Sequence, residues 1–256
     1  LRFSTIYFGG GTPTLYSPAT LADLLELLYS KFKIARTAEI TIEANPGTID
    51  IDGLKTLRNA GVNRLSLGVQ SLDEEELRFL GRSHSSRDAL EAYHAARVAH
   101  LSTVSVDLIR GLPVHEPGRW RAMLERVVSL APDHVSCYGL TVEPGTRLHA
   151  MQERGEFVLP DEDTQIALLD VTEEVLASHG LRRYEVSNWS LPGRECRHNV
   201  NYWCNGTYLG FGAGAWSHVG GRRWGNVADV VEYAARIARA ESPVGETEEL
   251  RGWAQA

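Results

Sequence analysis

Five strand-like segments, each followed by a helix-like one, set the limits on what this chain can fold into. Residues 4–8 (STIYF), 39–43 (EITIE), 64–70 (RLSLGVQ), 103–109 (TVSVDLI) and 134–140 (HVSCYGL) carry the β-branched and apolar content of strands. Behind the first, Leu21, Leu24, Leu25 and Leu28 fall at helical spacing after a Ser17-Pro18 start. Leu54 and Leu57 mark a short helix that stops at Gly61, and helical segments follow around 74–80, 86–100 and 120–130. Units of β then α, repeated at intervals of about 25–40 residues, predict a parallel sheet with right-handed crossovers. Each strand also ends in polar or glycine-rich residues: Gly9 to Thr12, Glu43-Ala44-Asn45, Gln70-Ser71, Asp107 and Thr141. An open sheet gathers such groups at one switch point, whereas a barrel presents them from every strand end. The pattern therefore predicts a full or partial α/β barrel.

Beyond Thr141 the character changes. Glu143-Pro144-Gly145-Thr146 reads as a turn and 165–179 as an amphipathic helix. Past Gly180 the chain is rich in Gly, Trp, Tyr and Asn, with strand-like pieces at 183–186 and 208–211 and a last helix over 228–240. The expected organisation is a barrel core over 1–142 and a small α+β accessory region over 143–256. A net charge of −7 argues against a nucleic-acid binder that works by neutralising phosphates. Apolar runs are strand-sized, so no integral membrane segment is expected, and nothing reads as a signal peptide. Three cysteines, Cys137, Cys196 and Cys204, give no disulfide framework, which makes the cytoplasm the expected location.

Gly9-Gly10-Gly11-Thr12-Pro13-Thr14 follows a strand directly and is either a tight βα turn or a place where backbone N–H groups approach a ligand. It is neither a Walker A loop nor a GxGxxG fingerprint. Glu43, Gln70, Arg82 and Asp107 stand at or just after successive strand ends. Singly, each reads as a solvated or capping residue. Together they would line one rim with two acids, an amide and a guanidinium, a set suited to a zwitterionic ligand that carries ribose hydroxyls. No CxxC, CxxxCxxC or HExxH is present, and the histidines are scattered. His198 differs through its neighbours. Composition alone reads it as packed among aromatics, pinning an irregular loop through Asn199 and Trp203.

Four blocks in register resemble the radical S-adenosylmethionine (SAM) proteins related to oxygen-independent coproporphyrinogen III oxidase. They are Ile6-Tyr7-Phe8-Gly9-Gly10-Gly11-Thr12-Pro13-Thr14, Ile42-Glu43-Ala44-Asn45-Pro46, Asn63-Arg64-Leu65-Ser66-Leu67-Gly68-Val69-Gln70-Ser71 and Asp107-Leu108-Ile109-Arg110-Gly111-Leu112-Pro113. Within that group, His198-Asn199-Val200-Asn201-Tyr202-Trp203 is similar to the HNxxYW motif of the HemW haem chaperones, which the oxidase lacks. The resemblance implies a partial (β/α)6 TIM-like barrel that lacks its first strand. It implies SAM held by Gly10, Gly11, Thr12, Glu43, Gln70, Arg82 and Asp107, with Thr141 and Trp216 at two further contacting positions. Arg82 would hold the methionyl carboxylate. It further implies a [4Fe–4S] cluster whose CxxxCxxC loop lies upstream of this chain, so a truncated sequence, inactive as a radical enzyme, is expected. The ending at Leu250 to Ala256 is likewise expected to fall short of the family's C-terminal domain.

The function so implied is a chaperone that binds haem and passes it to acceptor apoproteins, respiratory-chain haem proteins among them. The alternative is a radical SAM oxidoreductase of porphyrin biosynthesis that decarboxylates coproporphyrinogen. For haem, His198 offers an axial imidazole, Tyr202 and Trp203 flat apolar surface, and Asn199 and Asn201 groups to orient the ring. Cys196 is a second candidate ligand, without a CxxCH context.

Overall fold

β1 (Phe3–Phe8) opens the chain, and α1 (Pro18–Lys31) follows it after a 3-10 turn. A computed structural model describes residues 2–250. Leu1 and residues 251–256, on which the expectation of truncated ends falls, lie outside the described residues. Ser17 caps α1 by accepting from the Thr20 N–H, with Pro18 in the first turn where no donor is needed. β2 (Ile34–Ala44) begins earlier than its strongest run of residues suggests. α2 (Ile51–Ala60) starts on an Asp50 cap and stops at Gly61, whose φ of 116° ends the helix. β3 (Arg64–Gln70), α3 (Glu74–Phe79), α4 (Ser86–Val98), β4 (Thr103–Arg110), α5 (Pro117–Val128) and β5 (His134–Gly139) complete the alternation.

β1 to β5 are neighbours in chain order and all parallel. This is the partial TIM-like barrel that the alternation predicts. Its apolar layer joins Ile42 to Leu65, Leu65 to Val104, and Val106 to Val135 across the ladders, each of them buried. The sheet then continues through antiparallel β7 (Asn188–Ser190) to β6 (Arg182–Arg183). α6 (Arg147–Glu153) and α7 (Glu162–Ser178) precede this edge. Trp120 of α5, 1% exposed, donates its indole N–H to Thr172 of α7 at 2.8 Å, so the seam between these helices satisfies the one polar atom it buries on that ring.

Two elements differ from expectation. The strand expected over 183–186 shrinks to Arg182–Arg183, because the Arg183 guanidinium donates to the Glu185 and Val186 carbonyls and the Tyr184 N–H to the Asn188 carbonyl, closing a turn. Over 208–211 there is one bridge, Tyr208 to His218; the Gly210 N–H is taken by the Ser217 hydroxyl instead of a strand partner.

The chain divides into two compact units, Leu1–Cys196 and Arg197–Ala256. The change of composition near residue 142 falls inside the first. The second unit holds α8 (Arg197–Trp203), β8 (Trp216–Val219), β9 (Arg222–Asn226), α9 (Val230–Ala238) and β10 (Val244–Glu249). Its strands form an antiparallel sheet in the order β10-β9-β8. The β8–β9 hairpin turns at Gly220-Gly221, both at positive φ. No helix among the described residues is long and apolar enough to cross a membrane.

Candidate functional site

Alternation along β3 puts Ser66, Gly68 and Gln70 on one face, and that face lines an open cavity of about 360 Å³. The other parallel strands and the residues just past them supply the rest of the wall: Tyr7 from β1 with Gly11 and Thr12 after it, Glu43 and Ala44 from β2 with Asn45 after it, Asp107 from β4 and Tyr138 from β5. Arg82, three residues before the Ser85 cap of α4, enters the same lining. Equivalent positions after parallel strands lie at one edge of the sheet, and the side chains meet there for that reason.

Glu43 is held at both oxygens. The Tyr7 hydroxyl donates to Oε1 at 2.7 Å and the Gly10 N–H to Oε2 at 3.1 Å. Burial, with the Glu43 charge beside it, raises the Tyr7 pKa above its ordinary value, so the phenol keeps its proton for this bond. Asn45 donates to the Thr12 hydroxyl at 2.7 Å and thereby ties the glycine loop to the end of β2. Gly10 and Gly11 sit at φ of 84° and 65°, conformations that expose backbone N–H groups and that other residues resist. Gln70 adopts φ 66°, a strained value for a residue with a side chain, and the Ser71 N–H returns to the Val69 carbonyl. A Cβ at Gly68 would come within 2.6 Å of Asn45 Oδ1 and 2.9 Å of Gln70 Nε2, so the ends of both side chains would have to move.

Asp107 accepts from three hydroxyls, Ser66 on one oxygen and Ser105 and Ser136 on the other. Burial raises its pKa, and the three hydroxyls together with the Arg64 charge oppose that rise. Arg82 is the counterpart of these acids. Its Nε is buried with no hydrogen-bond partner, and burial lowers its pKa. An unmatched guanidinium N–H in a cavity wall is a place for an anion.

Thr141 lies past the end of β5, exposed, and is not among the residues lining this cavity. Trp216 belongs to β8 of the second unit. The HNxxYW segment is helical, not the irregular loop expected, and the reason is its own spacing. Four residues apart on α8, His198 and Tyr202 stack edge to face with ring centroids 5.0 Å apart. Tyr202 in turn meets Tyr208 at 4.3 Å. Burial depresses the His198 pKa to about 4, so its imidazole is neutral. Asn199 is half-buried on the same helix, while Tyr202 and Trp203 are 45% and 60% exposed. Cys196 is buried and closes the first unit. Among the described residues, no group of three His, Cys, Asp or Glu could hold a metal ion.

Six lining residues were not among the predicted site residues: Tyr7, Ala44, Asn45, Ser66, Gly68 and Tyr138. For Ser66 and Gly68 a signal existed, since they precede Gln70 by steps of two on one strand. Tyr7 and Tyr138 carried none, because tyrosine in a strand reads as packing.

Residues 1–127 match the model of the radical SAM superfamily. Heme chaperone HemW of Bacillus subtilis is 36% identical over 247 residues, which are 96% of this chain and 65% of that protein. Heme chaperone HemW of Mycobacterium tuberculosis H37Rv is 39% identical over 246 residues, covering 96% of this chain and 63% of the relative. The mitochondrial radical S-adenosyl methionine domain-containing protein 1 of Mus musculus is 42% identical over 214 residues, 84% of this chain and 48% of its own length. The chain thus spans about half to two thirds of the length of these relatives. Among solved structures, coproporphyrinogen III oxidase (HemN) from Escherichia coli, a radical SAM enzyme, superposes with a TM-score of 0.83 at 25% identity, over 98% of this chain and 60% of its own.

Proposed function

The chain belongs to the radical SAM superfamily as a HemW-type member, and from that premise we propose that its barrel cavity binds SAM and that the protein it represents carries haem to acceptor proteins. One observation carries the first part: the buried Nε of Arg82, without a hydrogen-bond partner, in the same wall as the Glu43 and Asp107 carboxylates. SAM is a zwitterion with a ribose, and the wall supplies what each part needs. Arg82 takes the methionyl carboxylate. Glu43, Gln70 and Asp107 take the ammonium and the ribose hydroxyls, while Gly10, Gly11 and Thr12 let the backbone come close. Thr141 and Trp216 are proposed as further contacts on resemblance alone. For a [4Fe–4S] cluster the described residues offer no ligand set.

Haem is the cargo. His198 is neutral and so able to ligate iron, with Asn199 beside it in sequence and the exposed faces of Tyr202 and Trp203 on the same short helix. The acceptors proposed are haem apoproteins such as those of the respiratory chain, met in the cytoplasm. The fold likeness to coproporphyrinogen III oxidase supports a second reading, oxidative decarboxylation of a porphyrinogen. A reconstituted preparation carrying this chain within its complete protein decides between them. Haem transfer to an apoprotein without porphyrinogen turnover is expected, and clear protoporphyrinogen formation reverses the assignment.

A further inference from the structure

We propose that Tyr184, His134 and Ser105 form a one-way hydrogen-bond chain that holds the Asp107 carboxylate as an acceptor facing the cavity, and so act as positioning residues for the ligand. The proposal rests on reading that cavity as the SAM site. Its frame is the ladder register. Ser105 pairs with Ser66 on one side and His134 on the other, and Asp107 pairs with Ser136. Ser105 and Asp107 are two residues apart on β4, as His134 and Ser136 are on β5, so all four side chains share one face. Ser105, Ser136 and His134 are each no more than 2% exposed.

Proton counting fixes the direction. The single Ser105 hydroxyl proton goes to Asp107 Oδ1 at 2.9 Å. The 2.8 Å contact of the same oxygen with His134 Nδ1 must then be a bond in which the imidazole donates. Burial holds His134 well below its ordinary pKa, in the neutral form with one N–H. With that proton on Nδ1, Nε2 is an acceptor, and the Tyr184 hydroxyl stands 2.9 Å from it. Tyr184 also accepts the Cys196 N–H at 3.2 Å, which leaves its own proton for His134. Tyr184 donates to His134, His134 to Ser105 and Ser105 to Asp107, with every proton placed once. Ser136 and Ser66 add their hydroxyls at 2.7 Å each. The carboxylate therefore stays an acceptor, and its remaining lone pair, on Oδ2, serves a donor in the cavity. Reversal would need a protonated Asp107 donating to Ser105, an Nε2–H tautomer of His134 and a Tyr184 proton without this partner.

The experiment has two arms on the 256-residue chain. Long-range 1H–15N correlation spectra, with the His134 signals identified by their loss in His134→Asn, are expected to show Nδ1 protonated and Nε2 bare. Calorimetric SAM titrations then compare wild type with Arg82→Ala, Ser105→Ala, Tyr184→Phe, His134→Leu and His134→Asn. Ser105→Ala should weaken SAM about tenfold, the range for a lost hydrogen bond to a charged group, and His134→Leu, which loses a bond to the neutral Ser105 hydroxyl, about fivefold. His134→Asn should stay within about threefold of wild type, since its amide can donate where Nδ1–H does. An Nε2–H tautomer, or wild-type affinity in Ser105→Ala, overturns the proposal. If His134→Leu fails to fold, the milder Ser105→Ala decides, with weakened SAM binding expected and wild-type affinity overturning the proposal. Loss of binding in Arg82→Ala with intact binding in Ser105→Ala strikes the chain of hydrogen bonds alone. No SAM binding by wild type removes the cavity assignment and this proposal with it.

Discussion

Arg82 is where a single side chain says most about the cavity, because a half-buried cation with a buried, unpartnered Nε has no structural account inside the protein. Replacing it with alanine should cost about 2–5 kcal/mol of SAM binding, as expected for truncating one partner of a hydrogen-bonded charge pair. Calorimetry reads this directly, and unchanged affinity takes Arg82 out of the site. Gly68 is the complementary case, a residue chosen for what it lacks. Gly68→Ala should push Asn45 and Gln70 aside, with two close contacts to relieve. SAM affinity should fall while the melting temperature moves by a few degrees at most, and an alanine variant that binds normally would show that the wall can yield. Glycine at 68 is plain in the sequence, but its reason lies in Asn45, which only the fold brings there.

At the scale of elements, α8 is a short helix whose value lies in the side chains it aligns. If haem rests on this helix, a Soret titration of the complete protein should lose or shift its band in His198→Ala and keep it in Cys196→Ala. The buried setting of Cys196 supports that contrast. An unaltered spectrum in the histidine variant returns His198 to a packing role. The seam between α5 and α7 gives an element-scale stability test. Trp120→Ala removes a fully buried indole and one of the two hydrogen bonds of the Thr172 hydroxyl, which still donates to the Leu168 carbonyl, and should cost about 3–5 kcal/mol in denaturant unfolding. A loss below about 1 kcal/mol would mean that the seam closes over the gap.

For the molecule as a whole, acid should be destabilising from mildly below neutral pH. His84, His134 and His198 are all held below the ordinary histidine value, each chiefly by burial. The unfolded chain takes up these protons near pH 6.5 and the folded chain does not, so the unfolded state binds more protons and stability falls as pH drops through 6.5. Each such histidine adds up to about 1.4 kcal/mol per pH unit in that window. Asp107, raised by burial, acts in the opposite sense, since the folded state is then protonated first. The comparison that isolates His134 is urea unfolding at pH 7.5, 6 and 5 for wild type and His134→Asn. A shallower decline is expected in the variant, and identical slopes would mean that His134 titrates in the fold.

Much of this was written locally. β-branched runs alternating with leucine-spaced helices, the caps at Ser17 and Asp50 and the stop at Gly61 act over a few residues, and the barrel follows because parallel strands joined by helices have few ways to close. The residues at strand ends were legible too, since parallel strands send their C-terminal positions to one edge, and Glu43, Gln70 and Asp107 were found on that rule alone. Tertiary structure decided what depends on register between distant segments. The clasp of Tyr7 on Glu43 and the alignment of Ser105 with His134 need strand residues 29 to 36 positions apart to pair in one frame. A shift of one residue would turn each of those side chains to the other face of the sheet. Sequence spacing carries periodicity, but pairing frame is a property of the packed core, and the chemistry of this cavity lives in that frame.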